Sequence, residues 1–317
     1  MTTPLKVRIG AAAWCAFVWF SVPTLHDGRW AAALLLLAAL VLMPMAWSLV
    51  RDFEDTGWAA RLWRFDLQAH FPAALLLGLA FLLPPGPGAL LCALPWAAVL
   101  GIMAVDGVLR IRRHGFSPLG LLCRDVGLVY ASIGGAWLLA DRAGWAPLGF
   151  APEIVLLTAV HFHFAGLLLP VVAGLALNRR PASRLAQAST WLVLAGVPLV
   201  AAGISVTQAG GPFQIEALAA WVLVLGGWGV AWQHLVLAVQ ERGVHPLARG
   251  LWLVAGLALA VGMLLAGLYA SRAWLAPMPW LDIPGMRALH GTLNGLVFSL
   301  AAVLGWCRAG RACCSGR

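Results

Sequence analysis

The chain has 317 residues, a net charge of +9 and a mean hydropathy of +0.88, with 62% of its residues apolar and only 10% charged. A soluble domain carries about 25% charged residues and could not hide this much apolar surface from water. These figures exclude a soluble enzyme, a disordered chain and a nucleic-acid binder, and they define an all-α, polytopic transmembrane helix bundle.

A bilayer core about 30 Å thick needs about 20 apolar residues per helix. Apolar runs predict ten spans in a single integral membrane domain covering 1–317, at roughly 9–25, 30–50, 67–84, 87–109, 118–140, 152–177, 189–208, 214–239, 250–271 and 286–307. The first follows Lys6 and Arg8, and its exit, Ser21-Val22-Pro23-Thr24, lacks a small-residue cleavage motif, so an uncleaved helix is expected. The hydrophilic stretch Arg51–Asp66 reads as a short interfacial loop. No charge separates the third and fourth spans, where Pro84-Pro85-Gly86-Pro87-Gly88 supplies the turn. Asp106 precedes Arg110 by one helical turn, the spacing of an end-of-helix ion pair. Arg124, Asp125, Gln233, His234 and His70 complete a polar layer near the same side.

Of the 21 basic residues, 16 fall in the N-terminus, the even-numbered loops and the C-terminal tail, only Arg29, Arg142 and Arg272 fall on the other side, and Arg124 and Arg287 lie within spans. This asymmetry places both termini in the cytoplasm. The positive charge is thus an orientation signal and a contact for anionic lipid. Trp30, Trp47, Trp58, Trp63, Trp145, Trp274, Trp280 and Trp306 stand near span ends, where indole rings settle at the headgroup level. Cys15, Cys92, Cys123 and Cys307 lie in spans and Cys313-Cys314 in the tail; no C-x-x-C spacing points to a metal site or a disulfide framework.

Ionisable residues inside the hydrocarbon cost about 2.5–3.5 kcal/mol each and normally face the bundle interior with a partner. The sixth span begins at Pro152-Glu153 and contains Thr158-Ala159-Val160-His161-Phe162-His163-Phe164-Ala165-Gly166. His161 lies about 14 Å inside its start, near mid-bilayer. Positions i and i+2 point to opposite helix faces, so His161 and His163 serve different neighbours. In the tenth span Arg287, His290 and Asn294 follow i, i+3, i+7, one polar stripe on α-helical geometry. Arg287 near a helix N-terminus is opposed by the macrodipole and calls for a carboxylate, which Glu153 or Glu216 can supply. Both acids also fit as first-turn residues with no further role, and a purely structural hydrogen bond remains open for His163.

The motifs His161-Phe162-His163-Phe164-Ala165-Gly166, followed by Pro170, and His290-Gly291-Thr292-Leu293-Asn294-Gly295 resemble the signature stretches of the YndJ-like family of bacterial membrane proteins. The resemblance implies a multi-pass protein of the bacterial inner membrane with a transport role. The expected function is accordingly a secondary transporter or permease. Its small-molecule or ion substrate, or its coupling proton, would engage His161, His163, Arg287, His290, Asn294, Glu153 and Glu216. Membrane lipids are the other expected partner, and no cofactor is predicted. The alternative is an intramembrane enzyme or haem/metal protein acting on a lipid or isoprenoid, with His161 and His290 as ligands. Against it, no Glu-x-x-His or His-x-x-x-His pair is present within a span.

Overall fold

The computed structural model describes residues 3–50, 57–275 and 278–314, with no side-chain description for 3, 57–63, 66, 67 and 311–314. Among the described residues the chain is all-helical, without a strand, and runs in ten helical stretches. These are α1 (Thr3–Ser21), α2 (Gly28–Val50), α3 (Gly57–Leu82), α4 (Pro87–His114), α5 (Leu119–Ala143), α6 (Pro152–Arg179), α7 (Arg184–Gln208), α8 (Phe213–Gln240), α9 (Pro246–Ala270) and α10 (Ile283–Gly310), the last continuing to Cys314. Eight of them, α2 and α4–α10, are long and apolar enough to cross a membrane. Of the hydrophilic stretch Arg51–Asp66, residues 51–56 lie outside the described residues, and the rest, from Gly57, is the start of α3 rather than a loop. The side chains of the tail cysteines Cys313 and Cys314 also lie outside the described residues.

Local chemistry sets the helix ends. Asp27, Ser183, His245 and Asp282 each accept a backbone N–H of the following helix's first turn, filling donors that have no intrahelical partner. Pro87, Pro152 and Pro246 occupy first-turn positions, where a missing N–H costs nothing. The uncharged turn between α3 and α4 depends on Gly86, whose φ of 150° suits glycine and whose N–H donates to the Arg142 carbonyl at 2.7 Å.

Arginines close several helices at the other end, where backbone carbonyls lack donors. Arg110 donates to the Val50 carbonyl at the end of α2 at 2.7 Å, and Arg249 to that of Ala238 near the end of α8 at 2.7 Å. Arg142 donates to Ala80 of α3 at 3.2 Å, and Arg272 to Tyr269 of α9 at 3.0 Å. Part of the basic charge in the loops is therefore capping.

Contacts divide the chain into two compact units. One comprises residues 1–117 and 124–168, the other 118–123 and 169–317. In the first, α2 is buried along nearly its whole length and packs against α1, α3 and the start of α6. In the second, α8 packs on α7 and α9, and α9 runs against α10. Trp145, Trp274 and Trp280 are exposed as interface tryptophans should be, whereas Trp30, Trp47 and Trp306 are buried in protein. The side chains of Trp58 and Trp63 lie outside the described residues.

Three stretches leave α-geometry for π-helix, with i→i+5 hydrogen bonds: Ala38–Leu42 in α2, Phe162–Leu168 in α6 and Arg287–Phe298 in α10. Such turns are rare and concentrate at functional positions.

Candidate functional site

In the first unit, the π segment of α6 begins directly after His161. His161 is exposed and His163 is fully buried, as opposite faces require. His161 Nδ1 approaches the Leu157 carbonyl at 2.8 Å and His163 Nδ1 the Ala159 carbonyl at 2.8 Å. Both contacts fall on the turn before the switch from i→i+4 to i→i+5 bonding. The other nitrogen of His163 faces the indole Nε1 of Trp96 at 3.0 Å. An indole N–H only donates, so His163 Nε2 accepts and its proton resides on Nδ1. The rings meet edge to edge, 15° from coplanar with centroids 6.2 Å apart. Gly134 of α5 makes room for them: a Cβ there would come within 3.0 Å of His163 Nδ1 and of Phe162 Cβ. His163 is thus held neutral, with both nitrogens satisfied.

In the second unit, α10 starts at the Asp282 cap, and its π segment opens at Arg287, which is 6% exposed. His290 Nδ1 lies 2.8 Å from the Gly262 carbonyl of α9. The Asn294 amide nitrogen stands 3.2 and 3.3 Å from the two ring nitrogens of His290. Its Oδ1 is buried and has no hydrogen-bond partner among the described residues. Gly262 is the position that admits this amide, since a Cβ there would collide with the Asn294 side chain. Ser299 ends the segment, its hydroxyl donating to the Asn294 carbonyl at 2.7 Å. The spacing i, i+3, i+7 marks one face only of an α-helix. Within the predicted stripe the contact that forms is between its members four apart, His290 and Asn294.

Glu153 is exposed in the first turn of α6. Glu216 is engaged by Arg272, 2.9 Å away, whose guanidinium also lies over the rings of Phe213 (4.4 Å) and Tyr269 (4.2 Å). Glu216 therefore has a cation of its own other than Arg287. His161 belongs to the first unit and His290 to the second. Among the described residues, no three His, Cys, Asp or Glu side chains gather into a set that could hold a metal ion.

Sequence reasoning missed four partners. Trp96 is 67 residues from His163, and Gly262 is 28 residues from His290. Trp306 Nε1 donates to His234 Nε2 at 3.1 Å, while His234 Nδ1 meets the Val230 carbonyl at 2.9 Å, repeating in the second unit the device built around His163. The fourth is His114, whose Nε2 lies 2.6 Å from Asp125 Oδ2 and whose Nδ1 lies 3.0 Å from the Gly115 carbonyl. The ion pair read from the sequence is present: Arg110 Nε donates to Asp106 Oδ2 at 2.8 Å, both residues buried.

Comparison with known proteins places the chain as firmly as the geometry describes it. A relative from Bacillus subtilis (strain 168), titled "Uncharacterized membrane protein YndJ", is 27% identical over 305 residues, covering 94% of this chain. The chain spans about half the length of that relative, 52%. No solved structure matches it. The model of the YndJ-like protein family matches residues 33–298, a stretch containing both His-bearing motifs. The chain is an integral membrane protein and belongs to the YndJ-like family.

Proposed function

We propose that this chain is a secondary transporter of the bacterial inner membrane, a multi-pass permease with both termini in the cytoplasm. Its small-molecule or ion substrate, or its coupling proton, is taken by polar groups of the tenth helix, His290, Asn294 and Arg287. The observation that carries this reading is the buried, partnerless Asn294 Oδ1 inside a twelve-residue π segment. A stranded acceptor of this kind costs about 1–3 kcal/mol. A substrate bearing an N–H or O–H donor, or a proton carrier, would satisfy it. His290 stands beside it with an imidazole, a side chain able to carry a proton. His161, exposed at the start of the other polar π segment, is the second candidate, with Glu153 at the entrance of the same helix. His163 serves this role by orienting α6, and Glu216 by holding Arg272. The 16-to-3 distribution of basic residues supports the orientation.

The test is proton-linked flux in proteoliposomes loaded with a pH-sensitive dye, challenged with amino acids, sugars, polyols and inorganic ions. Substrate-dependent proton movement is expected in wild type and should vanish in His290→Ala and His161→Ala at equal reconstitution. Flux surviving both changes overturns the site. Compounds that bind the protein yet never move protons or exchange across the bilayer overturn transport.

A further inference from the structure

A separate polar site lies in the second unit, where the turn after α6 meets α8. Gln233 stands two helical turns before the end of α8 at Gln240 and is 1% exposed. Its Oε1 accepts from Arg180 Nη1 at 3.0 Å. A guanidinium can only donate, which fixes the orientation of the amide. The end left over is therefore Nε2, a donor, and it is buried with no acceptor among the described residues.

The same place holds an unbalanced charge. Arg179 has Glu241 at 3.5 Å. Arg180 has no carboxylate partner among the described residues; what it holds is the neutral amide of Gln233. An orphan N–H and an uncompensated guanidinium thus sit within one amide group of each other. Water would satisfy the donor and leave the charge. An oxyanion satisfies both, with one oxygen on Gln233 Nε2 and another on the remaining Arg180 N–H groups, the fork geometry that suits phosphate. The position also fits, because span ends are where phosphate headgroups meet basic side chains.

We infer that Arg180 and Gln233 form a binding site for a phosphate oxyanion, distinct from the polar segment of α10. The phosphate can come from an anionic phospholipid headgroup or from free inorganic phosphate, and the two sources are separable by experiment. The full chain, purified in dodecyl maltoside, is titrated with phosphatidylglycerol, with phosphatidylcholine as a zwitterionic reference. It is titrated separately with sodium phosphate against sodium chloride of equal ionic strength. The thermal unfolding midpoint is read in each case.

Saturable stabilisation by phosphatidylglycerol is expected, its apparent affinity falling about tenfold or more in Arg180→Gln and Gln233→Leu, the size of a lost charge-assisted hydrogen bond. Stabilisation by inorganic phosphate with the same dependence on the variants supports the site and assigns it to the free ion. Gln233→Leu leaves the net charge untouched, so it carries the test even if Arg180→Gln folds poorly. Arg249→Gln removes one charge that caps the same end of α8, at the Ala238 carbonyl and not at Gln233, and should respond as wild type. The inference is overturned if neither phosphate source stabilises beyond its reference. It is also overturned if the response is the same in wild type and Gln233→Leu, or if Arg249→Gln loses as much as Arg180→Gln.

Discussion

Trp96 and His163 should behave as one energetic unit. Replacing Trp96 by Phe strands His163 Nε2, an acceptor in a fully buried ring, and replacing His163 by Leu strands the equally buried indole N–H. Each single change leaves a desolvated polar atom at about 1–3 kcal/mol, in addition to any volume lost. The double variant removes donor and acceptor together, so it should be less destabilised than the sum of the singles by about 1–2 kcal/mol. The matching cycle on Trp306→Phe and His234→Leu should give a similar coupling, because the two hydrogen bonds measure 3.0 and 3.1 Å. Equilibrium unfolding in mixed dodecyl maltoside and dodecyl sulfate micelles, followed by circular dichroism, supplies the free energies. Ring-ring attraction would behave differently, since one pair is 15° and the other 89° from parallel. Additivity within about 0.5 kcal/mol in both cycles would refute the hydrogen-bond account and reduce the contacts to packing.

Gly262→Ala drives a methyl group into the Asn294 side chain and should cost about 1–3 kcal/mol by overpacking. Gly78→Ala, with nothing within 4 Å, should be neutral or slightly stabilising in the same unfolding assay. Gly10→Ala places a Cβ against the Leu40 carbonyl in the π turn of α2 and should destabilise comparably, without altering any ligand response. Arg110→Met leaves Asp106 buried without this guanidinium and the Val50 carbonyl without its donor, a loss of about 3–5 kcal/mol. Combining it with Asp106→Leu should recover most of that loss, which the micelle titration measures directly.

The helices, their order and the turn at Pro84–Gly88 were legible because bilayer thickness ties apolar length to a span and because proline and glycine punctuate the chain. The Asp106–Arg110 pair was legible because a helix alone fixes the distance between residues four apart. His163 could be assigned a face but not a partner, since Trp96 reaches it through tertiary packing. Glu216 was matched in the sequence to Arg287 alone. Arg272 takes it by lying between the rings of Phe213 and Tyr269, an arrangement no spacing announces. The polar stripe on the tenth helix was drawn on 3.6 residues per turn, and Arg287–Phe298 does not keep that period.

The three π segments differ in what fills their widened turns. Ala38–Leu42 is wholly apolar and buried, and its Leu40 carbonyl is met by Gly10 of α1, so its wide turn is accounted for by packing alone. Phe162–Leu168 is apolar apart from His163, whose two nitrogens are occupied, and the exposed His161 stands just before it. Arg287–Phe298 differs from both. It holds a buried arginine, a histidine turned to a backbone carbonyl and an asparagine with a stranded oxygen. In hydrocarbon, backbone bonds must be closed internally, and widening a turn gains nothing unless something fills the space it opens. Neighbouring helices fill it in the other two, by the close approach of Gly10 of α1 to α2 and by Trp96 against His163 in α6. In α10 His290 and Asn294, four residues apart, stay in contact within the widened segment, and an acceptor among the described residues is still unmet. That unmet acceptor, rather than the π geometry it shares with an apolar helix, distinguishes this segment and is what the proposed site rests on.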